Sequence, residues 1–573
     1  MSRAGARATI GAVLALGLLL LGGLTLPEPA RDLGAGRLTS DDPLPPVVAG
    51  AFHVHSNRSD GADSLEAIAA AAARTGLSFV VVTDHGDGTR APEPPRYHAN
   101  VLILDGLEVT TTDGHYLSVG HLQAPYPLGG EARDVAADIE RLGGFGVAAH
   151  PASPKPALAW TDWSTAVGGI EWLNADSAWR DESWLRLGLA VLHYPIRPAQ
   201  AIAALFDRPT ETLWRWDTMT QARSVVALAG ADAHGAAAVP GVADVRLRPI
   251  PIPSYEEVFR TFAIRVQLDE VWSGDAAADA AALLEGLREG RVYTAIDALA
   301  PPGRFHFAAR SGGDVVQAGG SLGADLAVEL TVRADLPPGG EIHLLENGAM
   351  VQRSNRPELR YVTTAGRAVY RVEVALVESP GRPAIPWIVS NAIRVGFDGP
   401  PGPRHQDATG NSVVVFTDEP DVAGWTVEHD AESLAAVDST EAVEGRELAL
   451  RYALSDGQGA GPFAALVHER IGEAGEFDRI RFRVRSDAPG RVSVQLRAGG
   501  GEEDVRWRRS VYADTTTREV TVRLQEMRPA TSGGIGPPVV DAESSLLFVV
   551  DTVNTPPITS GVVWLDDLRL ERR

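Results

Sequence analysis

From Val47 to about Ala300 the chain alternates short apolar runs with helical stretches, and this alternation limits its possible folds more than any other feature. Ser78 to Thr83 (Ser-Phe-Val-Val-Val-Thr) is almost wholly apolar, as a parallel strand buried on both faces requires. Val47 to His55 predicts the first strand, and others are expected at 101–109, 145–149, 169–173 and 224–229. Asp63 and Glu66 make a capping-box-like start to a helix through Arg74, and Gly76 stops it. Glu131 to Leu142 predicts a second helix. Repeated strand-helix-strand units imply an α/β domain over 47–300, and a barrel is its closed form.

A chain of 573 residues is too long for one core. After a helix-like stretch at 277–290 the pattern turns all-β. Residues 301–398 predict an immunoglobulin-like sandwich, with strands such as 324–332 and 370–376. A Pro/Gly linker follows at 399–411, and 412–573 suits a jelly-roll sandwich with strands near 479–484, 492–496 and 562–570. The 31–46 segment, rich in Pro, Asp and Gly, also reads as a linker.

The first 30 residues bear on location. Arg3 and Arg7 precede the uncharged run Ile10 to Leu26, the pattern of a signal peptide or a retained membrane anchor. The protein is therefore expected outside the cytoplasm: periplasmic, secreted or membrane-attached. A net charge of −23 with no basic tract argues against nucleic acid as a partner. The absence of cysteine excludes a thiol nucleophile, a sulfur-ligated metal and any disulfide.

Each predicted strand of the 47–300 domain ends in a ligand-type residue. The first ends in His53-Val54-His55, with Asp60 in the next loop; on a regular strand His53 and His55 would share one face. The second ends in Asp84-His85, the third carries Glu108 followed by His115, and a later one ends in His150. The last ends in Asp232-Ala233-His234. Barrel active sites sit at the C-terminal strand ends, so these residues should converge. Imidazole and carboxylate donors without sulfur suit zinc, manganese or iron. Taken singly, a buried histidine is more often a satisfied core residue, Asp60 could be a loop residue, and Asp84 could orient an imidazole. His121 rivals His115, whereas His98, His193 and His306 fit no strand end and read as surface residues.

These ordered motifs (His-x-His with Asp, Thr-Asp-His, Gly-x-Glu, Ala-His-Pro and Gly-x-Asp-Ala-His) resemble the PHP superfamily, the polymerase and histidinol phosphatase domains. Gly230 to Gly235 and Leu287 to Tyr293 are similar to its exported CehA-like branch. The resemblance implies a distorted (β/α)7 barrel with two or three divalent metal ions. It implies that His53, His55, Glu108 and Asp232 hold one ion, and that Glu108 bridges to a second with His115 and His150. Asp60, His85 and His234 would hold a third.

The expected activity is metal-dependent hydrolysis by a bridging hydroxide, with phosphoesters as first choice. Glu108, Asp60 and His234 are the candidate catalytic residues. Lys155, the only lysine, follows His150 by five residues and is a candidate for substrate binding, as is Arg180. Arg58 and Arg90 are comparable loop cations. Hydrolysis of carboxylic or carbamic esters on the same site is one alternative, and a non-catalytic glycan- or partner-binding protein is another. Gly319 to Gly323 matches a G-x-S-x-G nucleophile pattern, but a strand-like run follows where the elbow needs a helix. Trp564 to Leu570 resembles the closing strand of carbohydrate-binding jelly rolls; packing residues around a solvated Asp566-Asp567 pair explain it equally well.

Overall fold

The computed structural model describes residues 22–572 apart from 35–36, 39–43, 236–251, 324–325, 365, 398–410, 417–421, 443–444, 458–460, 472–475, 499–504 and 531–535. Most of the apolar N-terminal run and nearly all of the expected 399–411 linker lie outside the described residues. Among those described, no helix is long and apolar enough to cross a membrane. The chain divides into two compact units, Met1–Gly86 with Ala91–Leu122 and Glu131–Pro400, and Asp87–Arg90 with Gln123–Gly130 and Pro401–Arg573.

In the first unit β1 (Val47–Val54) lies parallel to β2 (Phe79–Val82). Short β3 (Arg96–His98) pairs antiparallel with β4 (Val101–Asp105), which lies parallel to β2. A second sheet orders β5 (Leu107–Thr111), β6 (Gly114–Val119), β7 (Phe145–Ala148), β8 (Gly169–Asn174) and β9 (Val226–Gly230). The run expected as one strand over 101–109 is thus two strands in different sheets. Gly106 makes the corner, where a Cβ would lie 2.7 Å from the Ser118 carbonyl oxygen.

The resemblance implies a distorted seven-stranded barrel; the hydrogen bonds among the described residues divide these strands between two sheets. Isolated bridges, Val54 to Ala233 and His85 to Glu108, and single backbone hydrogen bonds such as Ala231 N–H to the Phe52 carbonyl join them. The physical cause is local. His53 and Asp232 have left-handed backbone (φ 64° and 44°), which interrupts the ladders where β1 and β9 end. The hairpin between β5 and β6 is also too short for a parallel crossover, so these strands are antiparallel.

Helix Leu65–Thr75 follows β1 and buries Leu65, Ile68, Ala69 and Ala72 on one face. Its N-cap is Ser64, whose hydroxyl accepts from the Ala67 N–H, in place of the expected Asp63. Gly76 closes it at φ 80°. On its other side β1 pairs antiparallel with β10 (Ala263–Gln267), and β10 with β11 (Val292–Ala295).

The sheet does not stop at residue 300, because β11 pairs antiparallel with Ile388–Ser390 and carries it into the β-rich segment. That segment adds a four-stranded sheet in which Phe305–Ser311 and Val328–Ala334 alternate buried and half-buried residues. Ser321–Leu322 is a two-residue strand pairing with 394–395, so the G-x-S-x-G pattern forms no nucleophile elbow.

A buried ion network fastens helix Thr210–Ala222 to strand Ala368–Leu376. Arg371 donates to both Asp217 oxygens at 2.6 and 2.9 Å, and to Glu373 at 2.6 Å. Arg208 adds a 2.7 Å contact to Glu373. Burial opposes the charge on Arg371, but the two carboxylates outweigh it and raise its pKa.

The second unit is a sandwich of two six-stranded antiparallel sheets. Its core includes Leu448, Leu450, Leu466, Phe482, Val494 and Phe548. In the closing strand Ser560–Arg572, Asp566 and Asp567 are buried, not solvated as expected. Asp567 has left-handed backbone at a register shift, and its carboxylate accepts from Arg569 at 2.7 Å.

Arg371→Leu would leave Asp217 and Glu373 buried without their counter-ion and is expected to lower stability by about 3–5 kcal/mol. Chemical denaturation checks this, and a loss under 1 kcal/mol (roughly that of a surface pair) would show the network to be peripheral.

Candidate metal centre

The predicted strand-end residues come together. Glu108 projects from β5 and is almost wholly buried. Its two oxygens face different partners. His115 Nδ1 lies 2.7 Å and His150 Nε2 3.1 Å from Oε1. His53 Nε2, His55 Nε2 and His85 Nδ1 lie 3.2, 3.1 and 3.5 Å from Oε2. Asp232 Oδ1 adds contacts of 3.4 and 3.3 Å to the same nitrogens of His53 and His55.

At the outer edge Asp60 is half-exposed. His234 Nε2 and His85 Nε2 lie 3.3 and 3.6 Å from its Oδ2, and His55 Nδ1 lies 3.4 Å from Oδ1. The tightest groupings overlap the ones the resemblance implies without matching them, and neither Asp232 nor His150 belongs to any of the three. His55, Asp60 and His234 form one set with ligand atoms within 4.8 Å of one another, while His85 groups with Glu108 and His115. The third set is His53, His55 and Glu108.

Outer acceptors fix three of the imidazoles. His53 Nδ1–H donates to Glu171 Oε1 at 2.7 Å, His150 Nδ1–H to the Leu158 carbonyl at 3.0 Å, and His234 Nδ1–H to the Asp232 carbonyl at 2.9 Å. In each case Nε2 is left facing carboxylate oxygens. His53, His150 and Asp232 all hold left-handed backbone (φ 64°, 30° and 44°), which costs of order 1–3 kcal/mol at a non-glycine residue. His53 and His55 are therefore not aligned by regular strand alternation. A register shift between Ala51 and Val54 brings their Nε2 atoms within 3.1 Å.

This donor set fits divalent cations. Two imidazole nitrogens facing each other beside carboxylate oxygens repel unless a cation or proton lies between them. His55 Nδ1 is moreover buried without a hydrogen-bond partner. Burial opposes charge on His53, but Asp232, Glu171 and Glu108 hold its pKa well above the usual imidazole range. The same balance, with Asp232 and Glu108 as partners, pushes His55 up to about 9. Burial would raise the carboxyls of Glu108 and Asp232, yet the imidazoles hold both well below the usual range. The cluster demands positive charge. Divalent ions would supply it, with the nine residues His53, His55, Asp60, His85, Glu108, His115, His150, Asp232 and His234 as ligands.

Glu171 was not among the residues singled out from sequence. It sits within apolar β8, where the signal was a lone carboxylate in a fully buried run. Besides orienting His53, its Oε2 accepts from the His150 backbone N–H at 2.6 Å and from Asn174 at 2.9 Å. Gly230 makes room for it, since a Cβ there would lie 1.8 Å from Oε1.

Other candidates lie apart. Asp84 orients no imidazole; it accepts from Ser56 and Ser59 and holds the loop after β1. Arg58 is spanned by Asp84, Glu93 and Asp105, and Arg180 pairs with Asp176 beside Trp179. Lys155 is exposed. His121 Nδ1 shares a 3.0 Å hydrogen bond with Ser118 Oγ outside the cluster. His193 is buried, contrary to expectation, with Nε2 at 2.9 Å from Thr25 Oγ1. A cavity of ≈190 Å³ opens beside His150 and Glu171, lined also by Asn174, Asp181, Asp207 and Arg208.

No family model matches the chain, and no curated protein matches it in sequence. Among solved structures it is similar to a two-domain protein from Bacteroides vulgatus described as containing a predicted PHP-like metal-dependent phosphoesterase. That match is 14% identical, covers 62% of this chain and 98% of the other, and has a TM-score of 0.30. It is also similar to a family 11 carbohydrate-binding module of a Clostridium thermocellum cellulase, 15% identical over 29% of this chain and 97% of the module, with a TM-score of 0.23. The case for function rests on the side chains of the cluster.

Glu171→Gln keeps the shape of β8 but withdraws the charge that orients His53. It is expected to weaken metal affinity about 10- to 100-fold with little change in stability, as measured by metal titration and thermal unfolding.

Proposed function

We propose that this chain is an exported, metal-dependent hydrolase that acts on phosphoester bonds, with zinc, manganese or iron as its ions. The observation that carries the reading is Glu108, whose two oxygens face separate sets of imidazoles. A carboxylate so placed suits a bridge between two cations, and paired cations suit in-line displacement at phosphorus.

His53, His55, Glu108 and Asp232 would hold one ion, His115, His150 and Glu108 a second, and Asp60, His234 and His55 or His85 a third. When bound, such ions polarise a substrate oxygen and lower the pKa of a coordinated water. The chain's own residues do the rest. Glu171 and the carbonyls of Leu158 and Asp232 keep the imidazoles turned inward. Asp60 and His234, at the open edge, can hold a proton at His234 Nε2 for a departing oxygen whenever no ion engages them. Lys155, exposed on the loop after His150, can meet an anionic substrate.

One observation favours a second reading, hydrolysis of uncharged carboxylic or carbamic esters. Asp181 and Asp207 line the cavity beside His150, and Arg208 is tied to Glu373. Asp207 is paired with Arg186, so Asp181 is the carboxylate there that repels a phosphate.

Metal analysis by mass spectrometry, followed by assay of p-nitrophenyl phosphate, a phosphodiester and an acyl ester, tests both. Phosphate turnover dependent on bound metal is expected, and acyl turnover without phosphate turnover would sink the phosphoester assignment. Glu108→Ala is expected to lose metal and activity together, and full metal content with full rate would refute its bridging role. Chelation should lower Tm, and metal returned at 100 times its Kd should restore about 2.7 kcal/mol.

A further inference from the structure

The helix Trp184–His193 presents an apolar stripe to solvent. Trp184, Leu185, Gly188 and Val191 fall on one side at helical spacing and are all exposed. Trp184 is 90% exposed, Leu185 71% and Val191 69%, and Ile196 just beyond the helix is 63% exposed. The helix's polar residues point elsewhere. Arg186 turns to Asp207 at 3.1 Å and to the Ala204 carbonyl at 2.7 Å, and His193 is buried. A contiguous uncharged patch of this kind marks a docking surface.

Where the N-terminus enters the unit identifies the occupant. The described end of the uncharged run, residues 22–26, meets this helix. A Cβ on Gly22 would lie 3.3 Å from Leu192, Thr25 Oγ1 contacts His193 Nε2 at 2.9 Å, and Arg197 reaches the Pro27 carbonyl. Leu24 beside them is 86% exposed. A bilayer that held the N-terminal run would therefore meet the stripe directly.

We propose that helix Trp184–His193 is an interfacial membrane-docking element that lies on the lipid bilayer beside the N-terminal anchor. This rests on the reading of the N-terminal run as a retained anchor. Trp184 and Leu185 would enter the headgroup–acyl boundary to a depth of ~5–10 Å, as amphipathic interfacial helices do. Trp184 also supplies the amphipathic ring favoured at that depth. The docking would hold the first unit close to the membrane surface.

Because the chain has no cysteine, single labelling sites can be introduced cleanly. Full-length Leu18→Cys, Trp184→Cys, Val191→Cys and Val271→Cys proteins, each bearing an environment-sensitive fluorophore, are reconstituted into phosphatidylcholine vesicles. Brominated-chain phosphatidylcholine then serves as quencher. Val271 is 79% exposed and off the stripe, so it reports water contact. Blue-shifted emission at positions 18, 184 and 191 is expected, with most of it lost to the quencher, while position 271 is unaffected. A probe at 18 that inserts, with 184 and 191 matching 271, overturns the docking while leaving the anchor. Water-like or missing label at 18 overturns the anchorage and the docking with it. Blue-shifted but unquenched emission at 184 and 191 means protein covers the stripe, and overturns the proposal as well.

Discussion

The first unit is organised around a charge imbalance. Glu108, Asp232 and Glu171 are buried carboxylates, and burying an anion without compensation is prohibitive in a medium of low dielectric. The imidazoles of His53, His55, His115 and His150 surround them, and those carboxylates raise the pKa of His53, His55 and His150 against the cost of burial. Divalent ions would supply the compensating charge directly and free the imidazoles to be neutral donors. The strained backbone at His53, His150 and Asp232 persists because the surrounding sheets impose it, and it sets the donor atoms toward one centre.

The two-sheet arrangement serves the same end. A regular ladder through His53 and Asp232 would spend their backbone on hydrogen bonds and point the side chains by strict alternation. Breaking it lets β1 and β9 meet through the Val54 to Ala233 bridge, with Ala231 N–H donating to the Phe52 carbonyl at 2.8 Å. Ligands from opposite sheets can then share Glu108. Behind them the sheet runs on through β11 into the β-rich segment, and the buried Arg371 network fastens a helix to it.

Much of this was legible in the residues. Histidines and carboxylates at or just beyond the ends of apolar runs stand out, and nine of the ten so marked meet in one cluster, while Asp84 instead holds the loop after β1. What stayed hidden depended on three-dimensional detail. Glu171 lay inside a strand, where its neighbours disguise it as part of a core run. That His85 reaches Glu108 as well as Asp60 depends on side-chain direction, which strand spacing leaves open. His193 looked like a surface residue because its cover comes from Thr25, 168 positions earlier. Asp566 and Asp567 looked solvated because a local register shift, invisible in an alternating pattern, turns both into the sheet.

The central claim is that Glu108 joins two cations. X-ray absorption spectroscopy on protein loaded with a single kind of divalent ion measures this most directly. The account predicts a metal–metal scattering path at about 3.5–4 Å, with imidazole and carboxylate donors around each ion. Ions without any such path, or a single ion per chain, would contradict it.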